Sequence, residues 1–314
     1  MELARKMRDI SLEEAKESYQ DLETIGCNKA KPLARSGIKA LDYFFLAHRL
    51  RAKTKHHISF AEAMKDPKLR DYLHEKIRKI KPNPSEIFAD PVKLLRQEYS
   101  VFQLYYGTIN QFRPTEALKI YCKLGAKVGI LDFSAGWGGR CIAAMALGVP
   151  YFGIDANKNL EPAYAAMIKA YKPAADVKLV FRPSETVDFS AFKYDLVFTS
   201  PPYFMLEEYE KMPQYGSKQG FMDKFFKPVV TKAWAGLPHG GHLALNMPHE
   251  MYMEVRGILP PIHSRILLPI SNRHPTNARI GRQLGTEKER HEYTYVWKKG
   301  SERRKTRKVA KKNV

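Results

Sequence analysis

The chain has 314 residues, 44% of them hydrophobic, enough for a large catalytic domain beside a smaller one and unlike a disordered chain. Its formal net charge of +20 gathers phosphate polyanions at the surface, so nucleic acid leads the candidate partners; a basic ribosome-associated or merely soluble protein is the plainer reading. Cys27, Cys122 and Cys141 lie far apart and form no Cys-x-x-Cys pair, so neither a disulfide framework nor an all-cysteine zinc site is expected, and a reducing compartment is the default.

In chain order, residues 1–95 read as a basic helical region. Met1 to Glu17 is charged and has no apolar centre, unlike a secretory signal. Ser11-Leu12-Glu13-Glu14 has the form of a capping box, and amphipathic stretches follow at Ile38–Lys53, Phe60–Met64 and Leu69–Ile80. Basic residues crowd here: Arg49, Arg51, Lys53, Lys55, His56 and His57, then Lys76, Arg78, Lys79 and Lys81. They form either a solvated face or a nucleic-acid contact surface. Lys81-Pro82-Asn83-Pro84-Ser85 reads as a linker, because closely spaced prolines disfavour helix.

From Val128 the pattern changes. Short apolar runs at Val128–Phe133, Tyr151–Asp155, Val177–Phe181, Asp195–Ser200 and His242–Met247 read as strands, with helices at Arg140–Leu147, Leu160–Ala170 and Met222–Ala235. That alternation predicts βαβ units in an α/β fold with a mostly parallel, doubly wound sheet over residues 96–300. Ser264–Ile270 and Glu292–Lys298 are candidates to close the sheet. Residues 301–314 read as a basic disordered tail, a polyanion tether, a nuclear address or a segment with no role. The longest uncharged apolar stretch, 141–154, is shorter than the roughly 18 residues of a membrane span, so no membrane partner is expected.

The run Leu131-Asp132-Phe133-Ser134-Ala135-Gly136-Trp137-Gly138-Gly139 ends the first strand of that pattern and opens a helix. Glycines there let backbone turn tightly and approach a ligand, and ligands of open α/β sheets sit outside the strand C-termini. Gly153-Ile154-Asp155-Ala156 ends the next strand, where an acidic side chain can take both hydroxyls of a ribose. Asp155 can also cap the helix that follows. Ser184-Glu185 follows the third strand, at the place for an adenine contact or for an ordinary turn.

Thr199-Ser200-Pro201-Pro202-Tyr203-Phe204 directly follows an apolar strand. It resembles the (Asp/Asn/Ser)-Pro-Pro-(Tyr/Phe) motif of the Rossmann-like amino-methyltransferases that act on adenine N6 or cytosine N4 of DNA. Asp132–Gly139 is similar to their cofactor loop, and Phe112-Arg113-Pro114-Thr115-Glu116 to the segment that closes over the methionine moiety. The resemblance spans about Tyr99 to Lys299. It implies a class I methyltransferase fold, S-adenosyl-L-methionine as cofactor, and a cofactor site at Phe112, Pro114, Thr115, Asp132, Phe133, Ser134, Ala135, Gly136, Gly138, Asp155, Ala156 and Glu185. It also implies catalysis at Ser200, Pro201, Pro202 and Tyr203. In the family, the first motif side chain and a proline carbonyl accept from the target amine, and the aromatic ring stacks on an extruded base. Serine is a weaker acceptor than aspartate, so Ser200 is expected to orient rather than abstract. No cysteine follows a proline, which speaks against cytosine C5 chemistry.

Only about sixty residues separate the glycine loop from Ser200, leaving no room for an inserted recognition domain. Target reading therefore falls to the N-terminal helices, to a partner subunit, or to Asn272–Arg282, where Arg273, Asn277, Arg279 and Arg282 are the nucleic-acid-binding candidates. Tyr203 to Lys218 is a candidate cover for the base, and Asn246 is either a base-pocket residue or a turn residue. His56-His57, His239 and His242 have no metal-ligand spacing, so no metal is expected. The same chemistry on RNA, amide methylation of a protein glutamine, and an inactive fold kept as a nucleic-acid scaffold stand as alternatives. The cytoplasm or nucleoid is the expected location, or the nucleus in a eukaryote.

Overall fold

The computed structural model describes residues 2–27, 34–54, 56–202, 207–208, 215–269 and 291–300, with backbone alone at 207, 208, 269, 291 and 292. Its N-terminal third is helical: α1 (Glu2–Met7), α2 (Leu12–Ile25), α3 (Ile38–Arg51), α4 (Phe60–Ala63), α5 (Pro67–Ile80), α6 (Pro84–Ala89) and α7 (Pro91–Tyr106), with one short strand, β1 (Lys53–Thr54). The local chemistry sets these starts. Ser11 and Glu14 form the expected reciprocal capping box, and Asp66 and Asp90 cap α5 and α7. Proline stands in the first turn of α5, α6 and α7, where its missing N–H is no loss. That is why the proline-rich 81–85 stretch, expected as a linker, is a turn that starts α6.

Met7, Leu46, Leu50, Phe60, Leu73, Ile77, Val101 and Phe102 make a small core of their own. Two buried acids brace it: Asp42 takes Arg8 and Arg49, while Glu98 takes Arg70 at 3.0 Å and His74 at 2.7 Å. The expected boundary at 95–96 falls inside α7, whose Val101 and Phe102 belong to this core. Nor is the region separate from the rest. Tyr19, Leu22, Leu41 and Phe45 of α2 and α3 share the main core with the α/β domain, and Tyr19 stacks on Tyr171 at 4.5 Å.

Elements α8 (Pro114–Leu124), β2 (Ile130–Asp132), α9 (Gly139–Leu147), β3 (Tyr151–Asp155), α10 (Glu161–Tyr171), β4 (Val177–Phe181) and β5 (Leu196–Thr199) follow. After them come β6 (Glu207–Glu208), α11 (Lys218–Phe221), a π-helical turn (Met222–Phe226), α12 (Lys227–Gly236), β7 (His242–Asn246), α13 (His249–Val255), β8 (Ser264–Pro269) and β9 (His291–Lys298). The seven-stranded sheet has the order β4-β3-β2-β5-β7-β9-β8. Strands β4 to β7 in that order are parallel, and β9 runs antiparallel to both its neighbours. This is the mostly parallel α/β arrangement expected of a Rossmann-like class I methyltransferase fold.

Period-two alternation divides the sheet residues between its faces. Ile130, Leu196, Phe198, Ala244 and Val296 join one core with α8, α9 and α10. Leu131, Val197, Leu243, Leu245, Tyr295 and Trp297 join the other with α12 and α13. A second, two-stranded ribbon pairs β1 with β6, Lys53 opposite Glu208 and Thr54 opposite Glu207. It attaches the N-terminal helices to the chain just after Ser200-Pro201-Pro202.

One expectation is corrected. Cys27 and Cys122 form a disulfide, with Cα atoms 5.5 Å apart and a separation of 95 positions in sequence. Linear spacing concealed it because α2 folds back over the α/β domain. Cys141 is free and buried. Among the described residues, no helix is long and apolar enough to cross a membrane, and no group of three metal-ligating side chains is gathered. The 301–314 tail and the Asn272–Arg282 stretch with Arg273, Asn277, Arg279 and Arg282 lie outside the described residues.

Candidate active site

The sheet order reverses between β2 and β5, so the C-terminal ends of β2, β3, β4, β5 and β7 gather at the switch point where ligands of this architecture bind. Asp132 at the end of β2 is the hub. It is fully buried and accepts from Arg140 Nε at 2.6 Å, Tyr151 Oη at 2.6 Å, Thr199 Oγ1 at 2.7 Å and Ser134 N at 3.2 Å. Burial works against the Arg140 charge, and Asp132 outweighs it, holding the guanidinium above its ordinary value. The same guanidinium donates to the Ser134 carbonyl. Asp132 is thus occupied by its own chain and shapes the loop rather than reaching into open space.

The glycines of that loop divide their work. Gly136 has φ +60°, and a Cβ there would meet only the Ser134 carbonyl at 3.8 Å. Its N–H donates to Asp155 at 2.7 Å, and its carbonyl accepts from Tyr164 at 3.0 Å. Gly138 instead faces α3, where a Cβ would stand 2.9 Å from Phe45, and a Cβ on Gly139 would stand 2.0 Å from the Phe112 carbonyl. Phe133 and Ala135 are buried, which leaves Ser134 and Gly136 as the partly exposed residues of the 131–139 run.

Asp155, ending β3, is half-buried beside Ala156. It accepts from Gly136 N and, at 2.8 Å, from Asn157 N, so it braces the glycine loop and caps the turn after β3 at once. Burial raises its pKa to about 6 against the two backbone N–H groups that lower it. Glu185 lies in the turn after β4. Its Oε1 accepts from Tyr215 at 2.9 Å, whereas its buried Oε2 has no partner among the described residues. Lys232 holds this turn by donating to the carbonyls of Ser184, Glu185 and Val187.

Thr199, buried at the end of β5, links the two halves of the site through Asp132. The next residue, Ser200, donates to Asn246 Oδ1 at 3.2 Å across to the end of β7. Asn246 is buried, and its Nδ2 donates to the Tyr293 carbonyl at 3.4 Å. That second bond decides which end of the amide faces Ser200. The serine hydroxyl spends its proton on Asn246 and keeps lone pairs for another donor. Pro201 is buried and Pro202 half-buried, while Tyr203 lies outside the described residues.

The upstream segment is only partly drawn in. Phe112 packs edge-on against Phe198 at 5.3 Å, beneath Arg140. Pro114 and Thr115 face the N-terminal chain instead: Thr115 donates to the Ala34 carbonyl at 3.0 Å, and Pro114 abuts Gly37. Sequence reasoning missed Arg140, Tyr151 and Thr199; Tyr215 falls in the 203–218 stretch read as a cover for the base, and its bond to Glu185 was not foreseen. A polar Thr199 ending an otherwise apolar strand was the one available signal.

The open features fit an adenosyl cofactor. They are the Asp155 carboxylate at the end of β3, the buried Glu185 Oε2 after β4 with no partner among the described residues, and clear space over Gly136.

No protein-family model and no curated protein matches the chain. Solved structures similar to it include TrmN from Thermus thermophilus, 14% identical over 75% of this chain and 79% of that one, TM-score 0.42. Another is Burkholderia thailandensis 1,6-didemethyltoxoflavin-N1-methyltransferase with S-adenosylhomocysteine, 13% identical over 59% and 76%, TM-score 0.40. The M. jannaschii tRNA m1G37 methyltransferase is 16% identical over 62% and 53%, TM-score 0.40. At such distances the fold assignment rests on the chain's own strand order, and no function is carried over from these proteins.

Proposed function

We propose that this chain is an S-adenosylmethionine-dependent methyltransferase acting on the exocyclic amine of a nucleic-acid base, adenine N6 or cytosine N4. The observation that carries the reading is the Ser200–Asn246 pair at adjacent strand ends, one residue from the Thr199–Asp132 bond that anchors the glycine loop. Asp155 takes the ribose hydroxyls, Glu185 Oε2 the adenine amine, and Ser134 and Gly136 line the space beside them. When bound, the cofactor supplies a sulfonium methyl to the nucleophile.

An exocyclic amine is a poor nucleophile because its lone pair is delocalised into the ring. Acceptors aimed at its N–H groups localise that pair and stabilise the positive charge that develops on nitrogen. Ser200 suits this role because its proton is already committed to Asn246. The Pro201 carbonyl, on a rigid diproline turn, is the second acceptor. Once alkylated, the nitrogen is acidic and loses its proton to water, so positioning matters more than a strong base. Tyr203 is assigned to stacking on a base withdrawn from its helix. The net charge of +20 supports a polyanionic substrate, and the Ser-Pro-Pro-Tyr sequence makes DNA the first substrate to test, with RNA beside it.

The test is transfer of labelled methyl from the cofactor to separate DNA, RNA and protein pools, with mass spectrometry of the product. N6-methyladenine or N4-methylcytosine is expected, and Ser200→Ala should remove it. Label in protein alone overturns the reading.

A further inference from the structure

We propose that the outer face of α5 and α7 is a stacking platform for the single-stranded nucleic acid that flanks the target base. The proposal rests on the base-methylation reading and adds to it the surface that holds the substrate. On α7, Glu98, Val101 and Phe102 point into the N-terminal core, whereas Tyr105, one turn on from Val101, is 41% exposed. Tyr105 meets Tyr72 of α5 edge-on at 5.9 Å, and the Lys76 ammonium stands over both rings, 4.7 Å from Tyr72 and 5.7 Å from Tyr105. Tyr106, stacked on buried Phe102, is in turn met edge-on by exposed His56 at 5.8 Å.

Partly exposed tyrosines interleaved with a lysine, on a chain of charge +20, combine what unpaired nucleic acid requires. The rings offer π-faces to bases, and the cation attracts the backbone and strengthens stacking. A duplex, with its bases already stacked, could use only the charge. Lys79 adds to the field, though Glu75 partly occupies it.

Position strengthens the case. His56 follows β1 by two residues, and β1 is paired with β6. Pro202 and residue 207 are five residues apart, about 18 Å at full extension. The platform is therefore tied through backbone hydrogen bonds to the chain leaving Ser200-Pro201-Pro202. A short single strand can lie on the helices while its next base enters the site.

The test is fluorescence anisotropy of the full chain with labelled single-stranded DNA, single-stranded RNA and matching duplexes of about 15 nucleotides, over a range of salt. Single strands should bind tighter than duplexes, and the tighter of the two single strands identifies the natural source. Tyr105→Ala should weaken single-strand binding at least about fivefold, with Tyr105→Phe within about twofold of the parent. Lys76→Gln should flatten the log–log salt slope by about 0.7. Unchanged affinity in Tyr105→Ala and an unchanged slope in Lys76→Gln, with melting temperatures like the parent's, overturn the platform. If the chain still methylates bases, that failure leaves the base-methylation reading standing. A parent chain that binds no oligonucleotide and methylates none overturns both.

Discussion

Thr199 donates its hydroxyl to Asp132 at 2.7 Å across the parallel pair β5 and β2, which makes the Ser200-Pro201-Pro202 turn and the glycine loop one braced unit. Thr199→Val keeps the shape and removes the donor, leaving a buried carboxylate short of one bond. Unfolding in urea should show a loss of about 1–3 kcal/mol. Methyl transfer should fall as well, because Ser200 is the adjacent residue.

Ser200→Ala should separate chemistry from cofactor binding. The variant deletes an acceptor assigned to the developing charge but touches none of the residues assigned to the cofactor. Single-turnover rates should fall by about 100-fold or more, with the cofactor Kd, measured by calorimetry, nearly that of the parent. Equal loss of both would mean that the serine shapes the pocket rather than the reaction.

The alternation of apolar runs made the strands legible: Tyr151–Asp155 and Val177–Phe181 occur as read, and the others shift by a residue or two at their ends. The candidate site was legible where a motif marks a position: Asp155 ends β3 and Ser200 directly follows β5, as read. It was not legible where function depends on who fills a side chain's bonds. Asp132 reads as a ligand group in sequence, yet five donors from its own chain, two of them on Arg140, occupy it. Gly138 reads as part of a cofactor cradle, yet it makes room for Phe45. Long-range pairings such as Cys27 with Cys122, or β1 with β6, carry no local signature at all.

The Cys27–Cys122 bond closes a loop of about 95 residues, for which chain entropy gives about 4–5 kcal/mol of stabilisation. Cys27→Ser, or reduction of the parent, should lower the melting temperature. Cofactor affinity below the new transition should remain unchanged, since neither cysteine is among the residues assigned to the cofactor. A reduced protein that melts with the oxidised one would show that the bond closes only what packing already holds.

Cofactor affinity should depend on the proton of Asp155. Its pKa is raised from 3.8 to about 6 in the folded chain, chiefly by burial, so the free carboxylate destabilises the fold. Stability should therefore fall as pH rises through the window from about 4 to about 6, and level off above it. Ribose hydroxyls donate to the charged form, so binding has the opposite sign. The Kd should level off above about pH 7 and weaken by up to about tenfold per unit well below pH 6. Asp155→Asn should bind weakly at every pH and lose this dependence. A parent Kd that is level across the window would remove Asp155 from the ribose.

Glu185 supplies the sharpest separation of stability from binding. Its Oε1 is taken by Tyr215, and its Oε2 is buried without a described partner, an arrangement that costs the unliganded fold and rewards a donor that arrives. Glu185→Gln retains the Tyr215 bond through its carbonyl and places an amide NH2 where the free acceptor was. That group cannot accept from an adenine amine and meets it donor to donor. The unliganded variant should melt no lower than the parent, because a buried charge has been removed. Its cofactor affinity should drop by about 10-fold or more, the worth of one hydrogen bond to a charged acceptor. Paired melting curves with and without cofactor read both effects, and the thermal shift on adding cofactor should shrink. A variant that melts lower alone yet keeps the full shift would place Glu185 in the scaffold instead, with the adenine recognised elsewhere.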